Sequence, residues 1–176
     1  MKSKKAADTF VSRTELVLPN DTNTLGNLMG GRLLHWMDII SAISAQKASN
    51  RIVVTASMDF VEFQSPIKLG EIVYLEAKVT RAFTTSMEIR VDVWAENLQT
   101  EERRKSNSAY CTFVAVDQSG KPIPVTQITA ETPEEKEEFE HAQARREMRL
   151  LLAGRIKMED AKNWHQLIEK AQLKSK

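Results

Sequence analysis

Residues 20–42, NDTNTLGNLMGGRLLHWMDIISA, begin as a polar loop, tighten at Gly30-Gly31 and run into a segment of helical period that is almost wholly apolar. Projected at helical spacing, residues 31–48 put Leu33, Trp36, Ile40 and Ile43 on one face, and Leu34, Asp38, Ser41, Ala42 and Ala45 on the other. Both faces are apolar or small. The helix is therefore expected to be buried on two sides, by its own sheet behind Trp36 and Ile40 and by another subunit or a ligand over the small-residue face. Asp38 stands in the middle of it. A part-buried carboxylate costs free energy unless it is hydrogen-bonded or used, so Asp38 is a candidate catalytic group; the structural alternative is an acid that is exposed or satisfied by Ser41 or His35.

The loop ahead of the helix supplies what an acid would need. Two glycines at a helix start leave backbone N–H groups unpaired at the positive end of the helix dipole, which suits a phosphate or an oxyanion. A glycine pair also serves as a plain tight turn. The polar loop bearing Asn20, Asn23 and Asn27, and the acid two turns further on, make the combination more specific than the pair alone.

Working outward, TFVSRTELVL (9–18) reads as a first strand ended by Pro19-Asn20, and IVVTASMDFVEF (52–63) as a second, stopped by Ser65-Pro66. EIVYLEAKVTRAF alternates Val73, Leu75, Ala77 and Val79 against polar neighbours, and SMEIRVDVWAEN does the same with Met87, Ile89, Val91 and Val93. NSAYCTFVAVD supplies the last strand, closed by the turn QSGKP. The order strand, helix, four strands predicts an α+β domain over residues 1–130, an antiparallel sheet covering one long helix. After Pro124 the composition becomes charged and helical over 131–150 and 157–173, with Thr132, Pro133, Glu134 and Glu135 as a start signal, so 131–176 reads as a helical extension. Its acidic-then-basic run reads as a solvated helix complementing its own dipole, with oligomer packing or phosphate contacts from Arg145, Arg146 and Arg149 as the other readings.

The 176 residues carry 25 basic and 24 acidic side chains, so no global field attracts nucleic acid or membrane and any anion site is local. MKSKKAADTF lacks an apolar run and no segment approaches a membrane span, which leads to the expectation of a cytoplasmic protein. Cys111 lies in an alternating apolar run and reads as a buried thiol. His35, His141 and His165 are scattered without ligand spacing, and no metal is expected.

GNLMGGRLLHWMD, then VVTASMDFVEFQSPIKLGEIVYLEAKVTRAFTTSMEIRVDVWAEN, then FVAVDQSGKPIPV together resemble the hotdog-fold acyl-CoA thioesterases of the cytosolic acyl-CoA hydrolase type, over about residues 10–150. The resemblance implies a curved antiparallel sheet around the central helix, dimers with active sites at their interface, and assembly as trimers of dimers. It places the family's base or nucleophile on Asp38 and a facing asparagine from the other subunit on Asn27. Many members carry histidine immediately before the glycine pair, where this chain has Met29. The segment Thr84, Thr85, Ser86 resembles one that the family places near the coenzyme A nucleotide.

The expected reaction is hydrolysis of an acyl-CoA to a free fatty acid and coenzyme A, the latter being part of the substrate, with no separate cofactor. Asp38 would deprotonate water or attack directly, Gly30 or Gly31 N–H would hold the oxyanion, and Asn27 would position the water or the carbonyl. Arg81 and Lys68 are candidates for the nucleotide phosphates. A non-catalytic acyl-CoA-binding sensor is the rival of a different class, although no output module is visible. A hotdog dehydratase would need a histidine base, and His35 is the helix's one candidate.

Overall fold

The computed structural model describes residues 3–59, 61, 63 and 65–174 in two compact units, residues 1–129 and residues 130–176. The first contains β1 (Lys4–Lys5), β2 (Val11–Leu16), α1 (Gly30–Ser49), β3 (Ile52–Asp59), β4 (Ile72–Ala82), β5 (Ser86–Asn97), β6 (Glu102–Val116) and β7 (Ile128–Thr129). Five strands form an antiparallel sheet in the order β2-β4-β5-β6-β3, and β1 pairs with β7 in a small parallel ladder.

One helix and one sheet face make the core. Leu33, Trp36, Met37 and Ile40 are buried on α1, and Val73, Leu75, Val79, Met87, Ile89, Val91 and Val93 are buried on β4 and β5, so the alternation in the sequence chose the inward face correctly. The register shifts at three places: between Thr55 and Ser57 in β3, between Val79 and Arg81 in β4, and at Ser106 in β6, opposite Val93 and Trp94 of β5. Such bulges bend a strand and increase its twist, which lets one sheet wrap a helix. The β4 irregularity has its own plug: buried Thr9 accepts the Val79 N–H on its Oγ1 at 3.0 Å, while its carbonyl accepts the Ser44 hydroxyl at 2.8 Å.

Three expectations need correction. Residues 6–9 form a 3-10 turn and the strand is Val11–Leu16, because Thr9 is drawn into the core by those two bonds. β3 ends at Asp59; Val61 and Phe63 lie outside it, as the chain turns to present the Ser65 carbonyl to the Ser106 hydroxyl, and Phe60, Glu62 and Gln64 lie outside the described residues. On α1, Ile43 is 43% exposed while Ser41 and Ala45 are fully buried. The stripe that meets the sheet follows the 33, 36, 37, 40, 41, 44, 45, 48 spacing, and Leu34, Asp38 and Ala42 stay half-buried beside it.

The second unit contains α2 (Pro133–Leu152) and α3 (Lys162–Lys174). Thr132 caps α2 as its sequence signal predicts: its side chain accepts the Glu135 N–H at 3.2 Å, and the Glu135 carboxylate accepts the Thr132 N–H in return. Glu147 caps α3 from the neighbouring helix, accepting the N–H of Asn163 at 2.8 Å and of Trp164 at 3.1 Å.

Trp36 is 2% exposed at the centre of the helix–sheet contact. Replacing it by alanine should destabilise the first unit by about 3–5 kcal/mol, read from urea unfolding followed by circular dichroism.

Candidate active site

The loop 20–29 folds on itself before entering α1. Asn23 donates its N–H to the Asn27 carbonyl at 2.8 Å, and its side-chain Oδ1 accepts the N–H groups of Leu25 (2.9 Å) and Asn27 (3.2 Å). Gly26 closes the tight end with a φ of +72°, in the left-handed region that glycine adopts without strain. The loop is backed by residues 66–71: Leu28 N–H donates to the Ile67 carbonyl, Leu69 N–H to the Gly26 carbonyl, and Asn27 bridges to Lys68.

That backing is itself pinned. Arg104, on β6, grips Glu71 through both guanidinium amines, at 2.9 and 2.7 Å, and donates to the Pro66 carbonyl at 2.8 Å, while Glu71 also accepts the Lys68 N–H. Burial pushes the Glu71 carboxyl up, yet the Arg104 hydrogen bond, the Lys68 N–H and the two nearby positive charges outweigh it and hold the group below its ordinary value of 4.5.

Helix α1 opens at Gly30, with Met29 as its N-cap residue. Met29 carries no side-chain cap bond, and among the described residues neither Gly30 nor Gly31 N–H has an acceptor. The helix start is therefore an open pair of donors. The exposed ring of Phe63 lies against Gly30, where an added Cβ would meet its Cζ at 3.1 Å.

Asp38 is half-buried two turns on, and its Oδ1 accepts the Thr55 hydroxyl of β3 at 2.7 Å. Neither Ser41 nor His35 satisfies it. Thr55 stands at the β3 bulge, which is why the sequence did not single it out: the pairing is set by the register of β3 beside α1 and by no local motif. At a rise of about 1.5 Å per residue, Asp38 lies about 12 Å along the axis from Gly30, too far for both to act on one carbonyl within one chain.

The remaining residues fall into two groups. Lys68 is exposed behind the loop, next to Asn27. Thr84, Thr85 and Ser86 form the β4–β5 hairpin, with the Thr84 and Thr85 carbonyls taking Val125 and Ala115 N–H groups, and the Arg81 guanidinium sits 5.6 Å from the Phe83 ring. Lys68 precedes β4 and the hairpin follows it, so the length of an 11-residue strand, about 36 Å, separates the two groups within one chain. Cys111 is fully buried, and burial pushes its thiol up to about 11, so it stays protonated near neutral pH.

The thioesterase superfamily model matches residues 25–102, which span the end of the loop, α1, β3, β4 and β5 and reach the start of β6. The uncharacterized acyl-CoA thioester hydrolase YkhA of Bacillus subtilis is 46% identical over 125 residues, 71% of this chain and 73% of that protein. The chain belongs to the hotdog-fold acyl-CoA thioester hydrolases. Acyl-coenzyme A thioesterase 11 of Mus musculus is 41% identical over 85% of this chain, which spans about a quarter of that longer protein's length, 25%. Among solved structures, an apo-hexameric acyl-CoA thioesterase superposes with a TM-score of 0.84 at 44% identity, covering 87% of this hydrolase and 98% of the other. The acyl-CoA hydrolase of Staphylococcus aureus, solved with butyryl coenzyme A, coenzyme A and coenzyme A disulfide, superposes at 0.80 with 33% identity, over 94% of this chain and 99% of that one. That enzyme has also been solved with an asparagine, an aspartate or a threonine replaced by alanine, and the three positions have the same spacing as Asn23, Asp38 and Thr55 in this hydrolase.

The Glu71–Arg104 pair makes stability depend on pH. A folded carboxyl held below its unfolded value stabilises the native state above that value, and the contribution is lost as pH falls through the folded one. Glu71→Gln should therefore lower stability at about pH 6 and differ less from the parent at about pH 3, read as urea midpoints at the two pH values.

Proposed function

We propose that this hydrolase cleaves its acyl-CoA substrate with two half-sites from two chains: the open donors and loop amides of one subunit, and the Asp38–Thr55 pair of the other. The observation that carries this reading is the distance along α1. Donors at its start and an acid two turns on cannot meet on one carbonyl, but two such helices lying antiparallel bring one chain's start to the other's middle.

An apolar surface for that contact is present. β3 is the edge of the sheet, with Ile52 and Val54 56% and 48% exposed, and Ile43 is exposed on α1 beside half-buried Leu34 and Ala42. An edge strand of this composition favours pairing with another chain. The hexamer among the structural relatives supports assembly beyond the dimer, and we assign a trimer of dimers to this protein.

In the reaction, Gly30 and Gly31 N–H donate to the developing oxyanion and Asp38 acts as base towards water or as nucleophile, oriented by the Thr55 hydroxyl. Among the loop amides we assign the water- or carbonyl-positioning role to Asn23, whose spacing to Asp38 matches that of the asparagine replaced in the Staphylococcus aureus enzyme; Asn27 is the alternative. Asn23 is held by its Oδ1, which leaves its Nδ2 hydrogens to a ligand. Arg81, Thr84, Thr85 and Ser86 are assigned to the nucleotide and Lys68 to a phosphate. No cofactor is needed, since coenzyme A enters as part of the substrate. A cytoplasmic setting and a place in fatty acid metabolism fit this chemistry; among the described residues no helix is long and apolar enough to cross a membrane.

Turnover of a panel of acyl-CoA esters, followed with a thiol reagent, tests the reading. Asp38→Asn should lower kcat by about 10²-fold or more while the melting temperature equals or exceeds the parent's, because the amide keeps the volume and an acceptor for Thr55. Undiminished turnover, or unfolding on this substitution, would return Asp38 to a structural role. Asn23→Ala should lose more kcat than Asn27→Ala; the reverse order would transfer the role to Asn27.

The two-chain arrangement has its own test. Sedimentation should show at least a dimer, and mixing inactive Asn23→Ala chains with inactive Asp38→Asn chains should restore activity, since one site of each mixed dimer keeps both residues. A stable active monomer, or no recovery with subunit exchange verified, would place the whole site in one chain.

A further inference from the structure

A buried carboxylate that the reaction does not touch holds both ends of the loop ahead of α1. Asp21 is 3% exposed. Its Oδ2 accepts the Leu18 N–H at 3.1 Å, its Oδ1 accepts the Arg32 Nε–H at 2.7 Å, and its backbone carbonyl accepts the Met29 N–H at 2.9 Å. A single residue thus ties the end of the β2 segment, the N-cap of α1 and the first turn of α1 to one another.

Arg32 is an odd choice for that turn. A cation in the first turn of a helix stands at the positive end of the dipole, where it is disfavoured. Here its guanidinium is carried outward to Asp21 and lies 5.5 Å from the Trp36 ring, so the pair is anchored on the side chain at the centre of the core. The pairing also settles where the acid points. A carboxylate beside an open helix start competes for its N–H donors. With its two oxygens taken by Leu18 and Arg32, Asp21 leaves the Gly30 and Gly31 N–H groups to the substrate.

We infer that Asp21, acting through Arg32, is a positioning residue that sets the loop asparagines and the Gly30 and Gly31 donors in one geometry for the partner chain's acid. The inference rests on the donor half-site proposed above. The geometry matters because a displacement of about 1 Å in a group that orients the reacting atoms can cost about 10²-fold in rate. Asp21 itself touches neither substrate nor water in the reaction.

Steady-state kinetics of Asp21→Asn, Arg32→Gln and the double variant, at a temperature where circular dichroism shows each folded, test it. Each single variant should lose about 10-fold or more in kcat with KM for the acyl-CoA within about two-fold of the parent. The double variant should lose no more than the worse single, since both substitutions break one linkage. Parental kcat in either single variant, a rise in KM alone, or losses that multiply in the double variant would overturn the inference. Should Asp21→Asn not fold, Arg32→Gln decides alone by the same kcat criterion, as it keeps the Leu18 bond to Asp21. Asp38→Asn assayed alongside separates the two readings: if it loses turnover while the Asp21 and Arg32 variants do not, only the positioning role falls. If Asp38→Asn is fully active, the site reading falls and takes the positioning role with it.

Discussion

The burial of one helix against one sheet governs the rest of this structure. α1 has more apolar surface than a helix on a protein surface needs, and the sheet accepts only the stripe through Leu33, Trp36, Met37 and Ile40. The bulges in β3, β4 and β6 are the means by which the strands bend around it. What the sheet does not cover is the line of half-buried Leu34, Asp38 and Ala42, with exposed Ile43 beside it.

The loop ahead of α1 is held far more firmly than a surface connection of its length requires. Asp21 and Arg32 grip it from the helix side, and Glu71 and Arg104 pin the 66–71 segment that backs it. Both carboxylates are nearly buried, and each is satisfied by an arginine together with a backbone N–H. Buried ion pairs are weak evidence for stability in themselves, because desolvation offsets much of their attraction. Their value here is geometric: they fix the backbone and the side chains of the loop ahead of α1.

The resemblance to acyl-CoA thioesterases legible in the sequence agrees with the family model, the relatives and the superposed structures. Resemblance points to Asn27 and Asp38, and helical projection to Asp38, while neither points to Thr55 or Asn23. Thr55 carries no local signal, since its bond to Asp38 comes from the placing of β3 beside α1. Asn23 stands among several polar loop residues, and only the hydrogen bonds of the folded loop show that its side-chain oxygen is held by the Leu25 and Asn27 N–H groups.

The amino-acid sequence alone carries the order of β2, α1 and β3 to β6, the inward faces of β4 and β5, the capped start of α2 and the open glycine start of α1. These depend on neighbours within a few residues, where alternation, helical spacing and turn chemistry act directly. Tertiary structure decided which stripe of α1 is buried, where β2 and β3 begin or end, and which groups satisfy Asp21, Asp38 and Glu71. Helical projection sets Trp36 and Ile40 against the sheet, as the structure has them, but puts Ile43 with them and Ser41 and Ala45 on the other face. Only the packing of α1 on the sheet buries Ser41 and Ala45 and leaves Ile43 exposed, because the contacts that decide the edges of a buried stripe join residues far apart in the chain.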